Sequence, residues 1–216
     1  MDAVEQQASS ETDPQPAVSM ERPSVYLDTS IPSYLMSRPA RGWPLKRYQW
    51  VTCLFWNAHR ARFKMHISSR VVDEAKLGDP EAARRRIEII SSLPSLEVPD
   101  DVDRLSAMIL KRTGLPNSAR VDAEHIAIAA TNGIEFLVTW NCKHLANPAI
   151  TPKVARICER AGFRSPAICT PEVILRHVVY GPQPSRRPAR EQSCRARRSS
   201  GRATRQPRRS ALRPGS

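Results

Sequence analysis

Between Ser24 and Tyr180 the chain alternates short apolar runs with helical stretches. The runs are Val25 to Leu27, Lys64 to Ile67, Leu96 to Val98, Ile134 to Val138 and Ala167 to Cys169. Strands that alternate with helices predict a mainly parallel sheet covered on both faces. The fourth run is apolar except for Glu135, as parallel strands buried on both sides tend to be. The first run ends abruptly on a carboxylate, Asp28, and in open α/β sheets ligands gather at the carboxyl ends of strands.

The helical stretches carry their own punctuation. Ser30 can cap a first helix with Pro32 in its opening turn, and Asp79-Pro80-Glu81 starts another in the same way. Leu45 to Ala61 reads as amphipathic, with Trp50, Leu54 and Ala58 at spacing four and Val51 and Phe55 beside them. Its aromatic residues Trp50, Phe55 and Trp56 either pack in a core or stack on bases. Ser68 or Ser69 caps the helix that contains Asp73 and Glu74. Asp100 or Asp101 opens one that ends near Gly114, and Ser118 precedes one that runs to about Asn132 with Gly133 as its stop. In that last helix Ala123, Ile126, Ala127 and Ala130 form a stripe of mostly small residues, suited to close packing on a sheet. Thr151 to Gly162 and Pro171 to Tyr180 are the remaining helices.

Charge divides the chain. Of the net +13, residues 181–216 carry +10, from eleven Arg and one Glu, which leaves +3 for the rest. We expect three parts: a disordered acidic leader over residues 1–22, a folded domain over 23–180, and a disordered Arg-rich tail over 181–216. The tail suits a polyanionic partner or is a solvated arm. Five scattered cysteines without CxxC spacing suit a reducing cytosol, so a cytoplasmic location is expected. No run reaches the ~20 apolar residues of a membrane span, and the start lacks a secretory h-region. A dinucleotide-binding enzyme is disfavoured because no Gly-rich turn follows the first strand. An aspartyl-nucleophile phosphatase is disfavoured because Ser30 stands where a second Asp is needed.

Four oxygen-bearing side chains are placed to meet at one sheet edge: Asp28, Glu74, Asp122 and Asn141. Such a set suits a hard divalent cation, Mg²⁺ or Mn²⁺. Each has a plainer reading, Asp28 as a helix cap and Glu74 as a surface charge. Adjacent helical residues diverge by about 100°, so at most one of Asp73 and Glu74 faces a common site. Asp122 and Glu124 lie on opposite shoulders of their helix, and geometry alone does not choose between them.

Four stretches together resemble the PIN-domain family, in particular VapC-type toxin ribonucleases. They are Val25-Tyr26-Leu27-Asp28-Thr29-Ser30; Ile67-Ser68-Ser69 leading to Glu74; Ala119 to Ala129 (ARVDAEHIAIA); and Gly133 to Leu145 (GIEFLVTWNCKHL). The resemblance runs from Ser24 to Leu175. It implies a three-layer α/β/α sandwich with a central sheet of about five strands, and Mg²⁺- or Mn²⁺-dependent hydrolysis of RNA. It makes Asp28, Glu74 and Asp122 the metal ligands, with Asn141 at a fourth catalytic place where the family often has an acid. Thr29 and Ser30 correspond to the hydroxyl pair beside the first acid, or serve only as caps. His125 is an accessory candidate as acid, base or phosphate contact, or else a surface residue. Lys143 and His144 are candidates for the RNA backbone, or belong to a solvated loop, and His66 is expected to be structural. RNA substrate, a small antitoxin partner and a homodimer complete the implied picture. The alternative is a weakly active or inactive RNA- or partner-binding module, which Asn141 motivates.

Overall fold

The computed structural model describes residues 22–180, so the expectations for leader and tail lie outside the described residues. Five strands form one all-parallel sheet: β1 (Ser24–Leu27), β2 (Lys64–Ser68), β3 (Ser95–Leu96), β4 (Phe136–Val138) and β5 (Ala167–Cys169). Their order is β3-β2-β1-β4-β5. The chain moves outward from β1 to β3, then returns to the other side of β1. The crevice between β1 and β4 is therefore the point where the strand order reverses, the place such sheets reserve for ligands. In register, Leu27 lies opposite Val138, so the residues after both strands, Asp28 and Thr139, emerge side by side.

Period-two alternation sends β1 side chains into two separate cores. Tyr26 joins Ile67, Ile126, Ile128 and Leu137 on one face, whereas Val25 and Leu27 join Ile31, Phe55, Trp56 and Val138 on the other. Both faces are thus covered, and the architecture is the α/β/α sandwich that the strand–helix alternation predicts. Each fully buried side chain of this kind contributes about 1.5–3 kcal/mol.

The helices are α1 (Ser30–Met36), α2 (Leu45–Leu54), α3 (Ser69–Ala75), α4 (Pro80–Ile90), α5 (Asp101–Thr113), α6 (Arg120–Thr131), α7 (Thr151–Arg160) and α8 (Pro171–Tyr180). Gly114 and Gly133 take the left-handed conformation (φ 78° and 65°) that ends α5 and the segment after α6. Asp79 caps α4 as expected, accepting from the Ala82 N–H.

Several local expectations are corrected. The long helix from Leu45 stops at Leu54, passes into one π turn (Phe55–His59) and a 3₁₀ turn (Arg60–Arg62). Its buried face is Val51, Thr52, Phe55 and Trp56; Trp50, placed in the expected stripe, is 65% exposed. The buried face keeps ordinary helical spacing but runs through Val51 and Phe55, about 100° round from Trp50 and Leu54. The third strand is only Ser95–Leu96, and the fourth begins at Phe136 rather than Ile134. Neither Ser30 nor Ser68 makes a side-chain cap, because both hydroxyls are used elsewhere. The buried surface of α6 is not a stripe: every residue from Ala123 to Ala130 is buried, since the helix is enclosed between sheet and outer helices.

Candidate functional site

The site is built at the reversal point. The Asp28 carboxylate, 5% exposed, follows β1 and is held on both oxygens. Oδ1 accepts from the backbone N–H of Ser30 (3.1 Å) and from its hydroxyl, and Oδ2 accepts from Thr139 Oγ1 (2.6 Å). The Ser30 hydroxyl in turn accepts from Trp140 N (2.8 Å), and Thr139 Oγ1 accepts from Asn141 N (2.8 Å). Burial pushes the Asp28 carboxyl above its ordinary value, partly offset by the His125 charge and by the Ser30 and Thr139 donors.

Two arms extend from this centre. On one, Asn141 Nδ2 donates to Asp122 Oδ1 (2.8 Å), and Asp122 Oδ2 pairs with His144 Nδ1 (2.9 Å). Asn141 Oδ1 is occupied as well, accepting from His144 N (3.1 Å). On the other arm, Glu74 Oε2 accepts from Thr29 Oγ1 (2.5 Å) and pairs with His125 Nε2 (2.8 Å). His125 Nδ1 meets Tyr26 Oη (2.7 Å), and Tyr26 Oη meets Ser68 Oγ (2.6 Å). An ionised carboxylate only accepts, so His125 Nε2–H donates to Glu74. Burial raises the Glu74 carboxyl, but the His125 and Thr29 hydrogen bonds and the His125 and Arg70 charges outweigh it, leaving a net lowering.

The structure therefore gathers Asp28, Glu74, Asp122 and Asn141 into a web of two hydrogen-bonded networks, one holding Asp28, Ser30, Asn141 and Asp122 and the other Thr29 and Glu74, which meet where Thr29 follows Asp28 in the chain. Lys143 stays out: its side chain is exposed, and its backbone carbonyl accepts from Asn147, outside the web. His125 corrects the surface reading, being 2% exposed and buried beneath Glu74. His144 turns inward to Asp122 rather than outward. Sequence reasoning missed Thr139 and Tyr26 as members of this web. Thr139 stood in the fourth motif directly after an apolar strand, the signal that singled out Asp28 after the first.

In kind, the donors fit a hard divalent cation: three carboxylates and an amide oxygen. In spacing they do not yet form a cage, since among the described residues no group of three His, Cys, Asp or Glu side chains could hold a metal ion. The acids are held by protein donors instead.

This gives a direct test of Asn141. Replacing it with Asp removes the donor to Asp122 Oδ1 and sets two carboxylates against each other. Asn141→Asp is expected to lose about 1 kcal/mol of stability in EDTA. Mn²⁺ should raise its melting temperature more than that of the unmodified chain, in parallel thermal melts. An unchanged melting temperature in EDTA would show that the Asn141–Asp122 bond contributes nothing.

No family model matches the chain, and no curated protein matches it. Among solved structures, it is similar to VapBC2 from Rickettsia felis bound to a DNA fragment from their promoter. The two share 18% sequence identity with a TM-score of 0.41, over 68% of this chain and 98% of that chain. Among the described residues, no helix is long and apolar enough to cross a membrane.

Proposed function

We propose that this chain is a metal-dependent endoribonuclease of the PIN type, acting in the cytoplasm as the toxin of a toxin–antitoxin pair and restrained by a small partner protein. The observation that carries the reading is the web itself. Asp28, at the strand-order reversal, is tied through Thr139 and Asn141 to Asp122, while its neighbour Thr29 is tied to Glu74. The four motifs of the sequence supply the rest.

In this reading Asp28, Glu74 and Asp122 hold Mg²⁺ or Mn²⁺, with Asn141 beside them. Such an ion lowers the pKa of a water molecule and neutralises charge on a phosphate in transfer. The chain's own residues do the positioning. Ser30 and Thr139 fix both oxygens of Asp28, Thr29 and His125 fix one oxygen of Glu74, and His144 orients Asp122. A homodimer and a small antitoxin partner are what the motif resemblance implies.

Purified protein incubated with unstructured RNA should cleave it in Mn²⁺ and leave it intact in EDTA, read on a denaturing gel. Cleavage that persists in EDTA, or its absence in Mn²⁺, would overturn the reading. A second reading, an RNA- or partner-binding module without catalysis, is favoured by the lack of a three-ligand group among the described residues and by Asn141. Metal-independent RNA binding without cleavage in the same assay would select it.

A further inference from the structure

Glu124 is a buried acid that the proposed chemistry does not use. Its side chain is 4% exposed, yet it is a charged group in the core of α6. Burying a lone carboxylate is costly unless cations compensate it. Two do: Arg120 Nε donates to Oε1 (3.1 Å) from one turn earlier on α6, and Arg70 Nε lies 2.9 Å from Oε2, reaching across from α3. The Arg120 contact is an aligned hydrogen bond. The Arg70 contact is an ion pair without that alignment, and Oε2 has no hydrogen-bond partner among the described residues. One negative charge therefore anchors two positive ones, and both arginine side chains reach solvent, 43% exposed for Arg70 and 72% for Arg120.

Their position is the second observation. Arg70 stands one helical turn before Glu74, so both lie on one side of α3. Arg120 opens α6, whose first turn also carries Asp122. Helices that precede or follow strands of a parallel sheet turn these ends toward the carboxyl edge, where Asp28 emerges. Arg70 is close enough to pull down the Glu74 carboxyl. A fork of two arginines presents planar donors matched to phosphate oxygens, which a bare lysine does not.

We infer that Arg70 and Arg120, held by the buried Glu124, form a clamp for the phosphate backbone of a single-stranded polynucleotide beside the acidic site. Glu124 is a positioning residue in this clamp. It binds no ligand itself and holds the two arginine side chains near one another. The inference deepens the ribonuclease reading and rests on it for the nature of the ligand. It makes one prediction that charge alone does not. Removing the negative charge of Glu124 should strengthen attraction to RNA if electrostatics decide, and should weaken binding if orientation decides.

The test uses the ¹⁵N-labelled full-length chain and a six-nucleotide single-stranded RNA, in EDTA so that cleavage is held off. The arginine Nε–H signals of Arg70 and Arg120 are identified by their loss in Arg70→Lys and Arg120→Lys. Both should shift together on titration, while that of Arg160, at the far end of α7 and the opposite sheet edge, stays in place. In fluorescence anisotropy, Glu124→Gln should weaken binding by about threefold despite its lost negative charge. Arg70→Gln should lower the slope of log affinity against log salt by about 1. Signals of Arg70 and Arg120 that do not move at saturating RNA, or a Glu124→Gln chain that binds as well or better, overturn the clamp. A chain that engages RNA through both arginines but never cleaves it in Mn²⁺ keeps the clamp and overturns the nuclease reading. Cleavage with both signals unmoved does the reverse.

Discussion

Asp28→Asn is expected to raise the melting temperature at pH 7 while removing the proposed ribonuclease activity. The two effects have one cause. Asp28 is buried, and burial disfavours its charged form, lifting its carboxyl above the ordinary value of 3.8. A raised carboxyl means that the folded chain binds more protons than the unfolded one across that interval. Stability therefore falls as pH rises from about 3.8 through the folded value. Asn is nearly the same shape and carries no charge. Its amide oxygen can still accept from Ser30, and its amide nitrogen can donate to the Thr139 hydroxyl. The gain should be about 1 kcal/mol, which for a domain of this size is roughly 2–4 °C.

The gap between the two chains should widen as pH rises above 3.8 and close as pH falls toward it. Glu74 does not blur this comparison. Its net lowered carboxyl stabilises the fold above its ordinary 4.5 and loses that stabilisation below it, equally in both chains. Cleavage in Mn²⁺ should drop by at least about 10²-fold, since a fixed charge at the reacting centre is lost. A variant that is less stable at pH 7 would show that the Ser30 and Thr139 donors repay the burial in full. One that is more stable and still cleaves at the original rate would remove Asp28 from the chemistry.

The position of Asp28 was legible because three local signals coincide there: strand-forming residues stop, a carboxylate follows, and a helix starts. The same grammar gave the parallel sheet and the helix stops at Gly114 and Gly133. What was not legible depends on partners far along the chain. His125 sits in a run that reads as a polar helix start. Its burial is set by Tyr26, 99 residues earlier, and Glu74, 51 residues earlier. Glu124 looked like the less useful of two acids on α6, and only the approach of α3 shows that Arg70 neutralises it. Trp50 was placed on the apolar stripe by its spacing to Leu54 and Ala58, whereas the face that packs is Val51, Thr52, Phe55 and Trp56, one residue further round. Ser30 and Ser68 were read as caps because capping is what local sequence can show. In the fold their hydroxyls serve Asp28 and Tyr26 instead.

The chain of contacts beneath Glu74 yields the second large effect, and Tyr26→Phe isolates it. Tyr26 is fully buried, and its hydroxyl links Ser68 to His125. Burial pushes the phenol well above its ordinary value, so it remains a neutral donor and acceptor at any working pH. Phe keeps the ring and its packing but leaves the Ser68 hydroxyl and the His125 Nδ1 without their buried partner. The expected loss is about 1–3 kcal/mol, measured by urea unfolding with an unchanged m value. His125→Leu should cost a similar amount, because it strands both the Tyr26 hydroxyl and one donor to Glu74. The double variant should cost less than the two losses together, with a coupling of about 1 kcal/mol or more, as polar groups in one buried network do. Strictly additive losses would mean that the Tyr26–His125 bond transmits nothing. Because Tyr26 reaches Glu74 only through His125, its removal should lower the proposed cleavage by about tenfold, the scale of a support behind a metal ligand, the role proposed for Glu74. His125→Leu should lower it further. If Tyr26→Phe instead leaves cleavage intact while costing the full stability, the buried chain holds the fold together and Glu74 is oriented by Thr29 alone.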